Sequence, residues 1–221
     1  MAFGPRMKLT VGDLTIELSP LTKESMGEFV EGMQQVKVTK YLARQFAPTL
    51  EDEYEWYDKV RADSTRLIWG IWVIDGSERT LIGNTSLFDI TRQHIHQATS
   101  GSMIFRQDYW GKGIASAIHK ARTWYAFEHM GLHRVMSAVI HGNIASRKAL
   151  EKTGYEHVYV ERNTVFVDGA LRHQDNLAVL NPSDTFWTQW WHGDRSPKRS
   201  LEARKRTHDA ISWARQHVKL C

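Results

Sequence analysis

Apolar and polar residues alternate along Leu14–Leu18 (LTIEL), the two-residue period of a strand with one face buried. From Thr22 the period changes. Over Thr22–Leu42 (TKESMGEFVEGMQQVKVTKYL) apolar positions recur at helical spacing, with Thr22 or Ser25 as the cap. Thr49–Ser64 (TLEDEYEWYDKVRADS) predicts a second helix, and its acidic first turn suits the positive end of a helix dipole. β-branched and aromatic residues then crowd Arg66–Asp75 and Leu81–Ile90, joined by the turn-forming DGSERT, so this pair predicts a hairpin. The polar stretch TRQHIHQAT is expected to be a loop, leading to another strand at Ser100–Gln107.

The second half repeats the alternation of periods. A long helical run opens at Gly111-Lys112-Gly113 and ends near Gly131, and HRVMSAVIHG comes next as a buried strand. NIASRKALEKTGY (Asn143–Tyr155) predicts a helix closed by Gly154. Two further strands flank an Asp168-Gly169 turn. The order is strand, two helices, three strands, helix, strand, helix and two strands. That order predicts a mixed sheet with helices on its faces, in the α/β (α+β) class.

A boundary near Asn181-Pro182 divides the chain into a compact body, 1–181, and an extension, 182–221. The extension packs three tryptophans into five residues (Trp187, Trp190, Trp191). It continues with Ser196 as a cap, Pro197 at the first helical position, and Leu201, His208, Ile211, Ala214 and Val218 at near-helical spacing. The expectation is a C-terminal helical extension docked by a tryptophan-rich anchor, on its own body or on a second copy of the chain in a homodimer. A solvated basic tail is the alternative. A third reading is contact with RNA or the ribosome through Arg195–Cys221, because basic residues interleaved with tryptophan suit phosphate contact and base stacking.

Charge changes the picture of the body more than of the whole. Arg195–Cys221 holds eight Lys and Arg against two Asp and Glu, a net of +6, so residues 1–194 carry −2 of the total +4. The basic isoelectric point therefore belongs to the extension. With 42% hydrophobic and 24% charged residues the chain can bury a real core. One cysteine, Cys221, excludes a disulfide framework or a cysteine metal site within one chain. His94 and His96 lack carboxylate or cysteine company as a metal pair, so no metal is expected. The N-terminus has no apolar signal segment and no apolar run approaches 18 residues. The expectation is a cytoplasmic protein without membrane contact.

Glycine inside a helix costs about 1 kcal/mol relative to alanine, so two glycines at a helix mouth call for a reason. One reading is a turn that needs glycine's backbone freedom. The other is a seat for an anion, held by bare amides at a helix N-terminus.

The surrounding residues carry a family resemblance. MIFRQDYWGKGIA resembles the pyrophosphate-binding motif of the GNAT N-acetyltransferase superfamily, Arg/Gln-x-x-Gly-x-Gly/Ala, with Trp110-Gly111-Lys112-Gly113-Ile114-Ala115 in register. NIASRKALEKTGY, about 30 residues on, is similar to the family's Asn-x-x-Ser…Leu-Glu-Lys-x-Gly-Phe/Tyr segment. IGNTSLFDI and DYWGKGIA further resemble the Rim-type, ribosomal-protein N-terminal branch. The likeness covers about residues 12–180 and leaves out the tail. One departure stands out: the first motif position, usually Arg or Gln, is Trp110.

The resemblance implies a mostly antiparallel central sheet flanked by helices, and acetyl-CoA as cosubstrate. It implies a coenzyme site of Gly111, Lys112, Gly113, Ile114, Ala115 and Ser116 for the pyrophosphate. Met103, Ile104 and Phe105 would offer strand backbone to the pantetheine, and Asn143 and Ser146 would lie beside it. The amide near Phe105 would stabilise the oxyanion. Ser146 would protonate the departing sulfur, or else satisfy an orphan helix amide; Asn143 is equally an N-cap. Tyr155 is a second hydroxyl candidate. The family's glutamate two residues before Gly101 is Thr99 here, which cannot act as a base. His94 and His96 are candidates in its place, with Asp89 and Glu156 weaker ones, and an α-amine of pKa about 8 needs none. The acceptor implied is a primary amine, a protein N-terminus or a small amine such as a polyamine or antibiotic. Residues 22–64 and 91–98 would line its site.

Overall fold

The computed structural model describes residues 2–42 and 46–221. Nine strands of the described residues form one sheet, in the order β7-β8-β6-β5-β4-β3-β2-β1-β9. The sequence-predicted Leu14–Leu18 strand is β2 (Leu14–Ser19), and β1 (Met7–Val11) precedes it across a Gly12-Asp13 turn. β1 was not expected, although Met7, Leu9 and Val11 alternate with polar residues. β3 (Leu67–Asp75) and β4 (Glu78–Thr91) make the predicted hairpin, and β5 (Gln97–Ile104) comes after it. β6 (Arg134–Ile140) pairs parallel to β5, whereas every other neighbour is antiparallel. β7 (Glu156–Val167) and β8 (Ala170–Leu180) form the hairpin around Asp168-Gly169.

Two cores lie on the two faces. On one, α1 (Met26–Met33), the four-residue α2 (Val36–Thr39) and α3 (Leu50–Ala62) bury Phe29, Met33, Val38 and Val60 against Ile68, Trp72, Leu81 and Phe105. The single helix expected over Thr22–Leu42 is thus broken near Gln34-Gln35. α3 starts at the expected place because Thr49 Oγ1 accepts from the Asp52 amide, 3.2 Å away. On the other face, α4 (Ile114–Trp124) ends in a π-helical turn, Tyr125–His129, and packs with α5 (Ile144–Glu151) on the larger core.

The extension continues this second layer. After α6 (Asp184–Trp191), α7 (Lys198–His217) packs along α4 with Ser200, Ala203, Thr207, Ala210, Ile211 and Ala214 buried. The last residues form β9 (Lys219–Leu220), which pairs with β1 at the sheet's edge. Two details differ from the sequence expectation. Pro197 is the cap rather than the first helical residue, and the Ser196 hydroxyl instead accepts from the Trp187 indole at 2.9 Å. Leu201 and His208 are exposed, because small residues at 200, 203, 207, 210 and 214 let α7 lie close to the body. No helix of the described residues is long and apolar enough to cross a membrane.

Candidate active site

Parallel strands end on the same edge of a sheet, and the segment after each strand begins there. β5 and β6 pair only from Gln97↔Arg134 to Ser100↔Ser137. Beyond that point β5 stays with β4 and β6 stays with β8, so 101–104 and 138–140 diverge into a fork. α4 begins just past one arm of the fork and α5 just past the other.

The mouth of α4 has the geometry an anion requires. Gly111 (φ +76°) and Gly113 (φ +82°) are both left-handed, a conformation that favours glycine, and Gly113 is the N-cap of α4. The amides of Ile114, Ala115 and Ser116 have no intrahelical acceptor. Ile114 is buried, whereas Gly111, Lys112 and Gly113 are exposed. The Lys112 ammonium lies 5.1 Å from the centre of the Tyr109 ring. At the mouth of α5, Asn143 Oδ1 accepts from the Ser146 amide at 3.2 Å, so Asn143 is the cap. Ser146 is half-buried on the first turn.

The strand contribution differs from expectation. The Phe105 amide donates to Ile82 O at 2.9 Å, and its ring is buried against Phe29 and Gly32. It therefore cannot serve the oxyanion. Met103 shares its orientation and is paired with Asn84 on β4. Strand alternation turns the other residues outward, and the Ile104 carbonyl is seen there, accepting from Trp110 Nε1 at 2.8 Å. Of the three residues predicted, Ile104 alone presents its backbone to the fork, with Ser102 two residues before it.

The proposed bases lie elsewhere. His94 and His96 sit before β5, ten and eight residues from Ile104, so the nearer is roughly 26 Å of strand away. His96 stacks on His133 (4.7 Å), whose amide donates to the His96 carbonyl at 2.6 Å. Three residues of the expected loop, Gln97–Thr99, belong to β5, because pairing with β6 recruits them. Tyr155 is fully buried with its hydroxyl 3.1 Å from Ser100 Oγ. Glu156 accepts from Ser200 of α7 at 3.0 Å, and Asp89 is exposed at the far end of β4.

On the opposite face, a cleft of about 310 Å³ is lined by Glu28, Glu31 and Gly32 of α1, Gln35 at the cap of α2, and the Phe105–Asp108 segment beyond the fork. Three carboxyls face one guanidinium, Arg106. Burial raises the Glu28 carboxyl above its ordinary range, offset in part by Arg106. The α1–α2 segment also reaches over the fork's end. Tyr41 lies against Gly142, and Lys40 pairs with Asp168 of the β7–β8 turn at 2.8 Å. Sequence reasoning had assigned this helix pair to the acceptor without singling out Glu28 or Glu31. Their signal was only a polar helix face, the commonest pattern there is. Among the described residues no group of three or more His, Cys, Asp or Glu is placed to hold a metal.

Residues 15–156 match the model of the acetyltransferase (GNAT) domain family. The probable N-acetyltransferase YjcK of Bacillus subtilis is 32% identical over 155 residues, 70% of this chain and 75% of that protein. Among solved structures, spermidine N-acetyltransferase of Vibrio cholerae, in complex with CoA and spermine, superposes with a TM-score of 0.68 at 18% identity, over 75% of this chain and 95% of that one. RimJ of Mycobacterium smegmatis, in complex with CoA-disulfide, gives 0.67 at 18% identity, over 98% and 95%. At these identities the two structures speak for the fold.

Proposed function

The chain belongs to the GNAT acetyltransferase family and is an acetyl-CoA-dependent N-acetyltransferase; from that premise we propose that its acceptor is a primary amine that arrives as a cation through the cleft beside α1. The coenzyme pyrophosphate would sit on the amides of 114–116, where the dipole of α4 favours negative charge. The pantetheine would run into the fork along Ser102 and Ile104. The Ile104 amide, on the same side of the strand as its carbonyl, replaces that of Phe105 as the donor to the oxyanion. Ser146 is the group to protonate the leaving thiolate.

The observation that carries the acceptor reading is the acid excess of the cleft: Glu28, Glu31 and Asp108 against Arg106. A cluster of one sign in a concave site concentrates ligands of the other. Glu28, whose proton affinity burial raises, is the candidate base. A small amine with more than one positive charge suits this cleft best. A protein N-terminal α-amine is the second reading, favoured by Arg106, Gln35 and Gln107, which can bond peptide carbonyls.

Nucleic-acid contact by the extension has less support. Arg199, Arg204 and Arg215 pair with Glu156, Asp184 and Glu128, and the inner face of α7 is core.

The test is a calorimetric titration with acetyl-CoA, followed by thiol release with polyamines, aminoglycosides and N-terminal peptides. Fastest turnover on a polyamine or aminoglycoside, lost in Glu28→Gln, supports the first reading. Turnover confined to peptides selects the second.

A further inference from the structure

Arg122, on α4, is fully buried at 0% exposure. Its Nη1 donates to Thr85 Oγ1 at 2.7 Å, Gly101 O at 2.9 Å and Ser102 Oγ at 2.7 Å, and its Nη2 lies 2.7 Å from His119 Nδ1. No carboxylate among the described residues pairs with it. His119 brings no compensation, since burial and the adjacent guanidinium push its pKa well below the ordinary value and leave it neutral. A buried cation held by neutral groups alone is costly, several kcal/mol for an ion removed from water.

Its position gives that cost a use. Gly101 and Ser102 are the first residues of β5 beyond the last pair with β6. Guanidinium hydrogens only donate, so both hydroxyls accept from Arg122. Thr85 Oγ1 and Ser102 Oγ are also 2.7 Å apart. Thr85 is fully buried, and its hydrogen reaches Ser102 Oγ or, at 3.4 Å, Gly101 O. Ser102 is exposed. When the Thr85 hydrogen goes to Ser102 Oγ, the Ser102 hydrogen is free to point into the fork, on an oxygen polarised by a cation.

We propose that Ser102 is a second hydroxyl donor at the fork, and that Arg122 is the positioning residue that orients and polarises it. This rests on the reading of the fork as the seat of the thioester. As the amine nitrogen bonds to the carbonyl carbon and the carbon–sulfur bond breaks, Glu28 takes a proton from the amine and Ser146 gives one to the departing thiolate, so the net transfer is from nitrogen to sulfur. Ser102 keeps its proton and donates a hydrogen bond to the negative charge that develops in between. A fixed cation behind a donor is the preorganised arrangement that needs no rearrangement during reaction.

The experiment compares Ser102→Ala, Arg122→Met, Arg122→Lys and the Ser102→Ala/Arg122→Met double variant. Acetyl-CoA affinity is read by calorimetry and kcat by thiol release. Ser102→Ala is expected to lower kcat about a hundredfold to a thousandfold, the range for one lost oxyanion donor, with coenzyme Kd unchanged. Arg122→Met should do the same, Ser102→Ala should add little to it, and Arg122→Lys should recover part of the rate. Full kcat in Ser102→Ala overturns the proposal, as do losses that multiply independently in the double variant. If Arg122→Met does not fold, Ser102→Ala decides alone. No thiol release from the unaltered protein would fail the transferase reading itself; release with an unimpaired Ser102→Ala fails only this one.

Discussion

The Trp110 indole donates its N–H to the Ile104 carbonyl across 2.8 Å, tying the turn before α4 to the open arm of the fork. The tryptophan stands at the first position of the resembled motif, which is usually Arg or Gln, and it is partly exposed. A coenzyme that pairs with the Ile104 backbone competes with the indole for that carbonyl. One neutral hydrogen bond contributes about 1 kcal/mol, which is about fivefold in affinity. Trp110→Phe should therefore bind acetyl-CoA as tightly as the unaltered protein, or up to about fivefold more tightly. The fluorescence change on adding coenzyme should shrink in the variant. Binding weakened tenfold or more would mean that the indole itself holds the coenzyme.

Gly113 separates conformation from charge. A Cβ there meets only Val11 Cγ1, at 3.9 Å, so space is not the constraint; φ of +82° is. Gly113→Ala should cost roughly 1–2 kcal/mol of stability for the left-handed backbone while keeping some coenzyme binding. Gly113→Asp adds a negative charge at an anion seat and should abolish binding in calorimetry. Equal affinity in the two variants would remove the pyrophosphate from this turn.

Ser146 and Asn143 make different contributions to the same turn. Asn143→Ala removes the cap and should cost about 1 kcal/mol in urea denaturation. Ser146→Ala leaves the cap intact, because the bond to Asn143 comes from the Ser146 backbone amide. It should lower kcat with little change in acetyl-CoA Kd. Unchanged turnover would take Ser146 out of the reaction.

Gly154 joins the family body to the extension. A Cβ there would lie 2.0 Å from Thr207 Oγ1 and 2.7 Å from Ala203 O of α7, and φ is +97°. Overpacking and backbone strain together put Gly154→Ala at roughly 3 kcal/mol. For a chain of this size that is a fall in Tm of about 6–12 °C. A thermal midpoint unchanged by the substitution would mean that α7 is not seated against Gly154 in solution.

Local chemistry was legible in the sequence, and features that depend on layering were not. Asn143 as an N-cap and the glycine turn before α4 depend on neighbours within four residues, so both could be read from spacing. The boundary of β5 could not, because Gln97–Thr99 becomes strand only by pairing with residues 134–136. Arg122 shows the limit most clearly. In a helix beginning IASAIHKARTW, an arginine reads as part of a solvated face. α4 has no such face here, since the sheet covers one side and α7, from beyond the family segment, covers another. The loop histidines precede β5, at the end of that strand opposite the fork.

His119, enclosed with Arg122, should set the acid stability of the fold. In the folded protein it takes a proton only well below the ordinary value of 6.5, because burial and the guanidinium oppose a second positive charge. Above about pH 7 neither the folded nor the unfolded chain is protonated at this residue, and it contributes nothing to the balance. As pH falls through 6.5 the unfolded chain binds a proton that the folded chain refuses. Stability then declines by about 1.4 kcal/mol per pH unit on account of this group, until the depressed folded pKa is reached. His119→Gln offers Arg122 an acceptor without a titration. Urea denaturation at pH 5, 6, 7 and 8 should show the unaltered protein losing stability more steeply below pH 6.5 than the variant, by about that slope. Parallel curves would mean that the imidazole is protonated inside the fold, and that Arg122 tolerates a second buried cation.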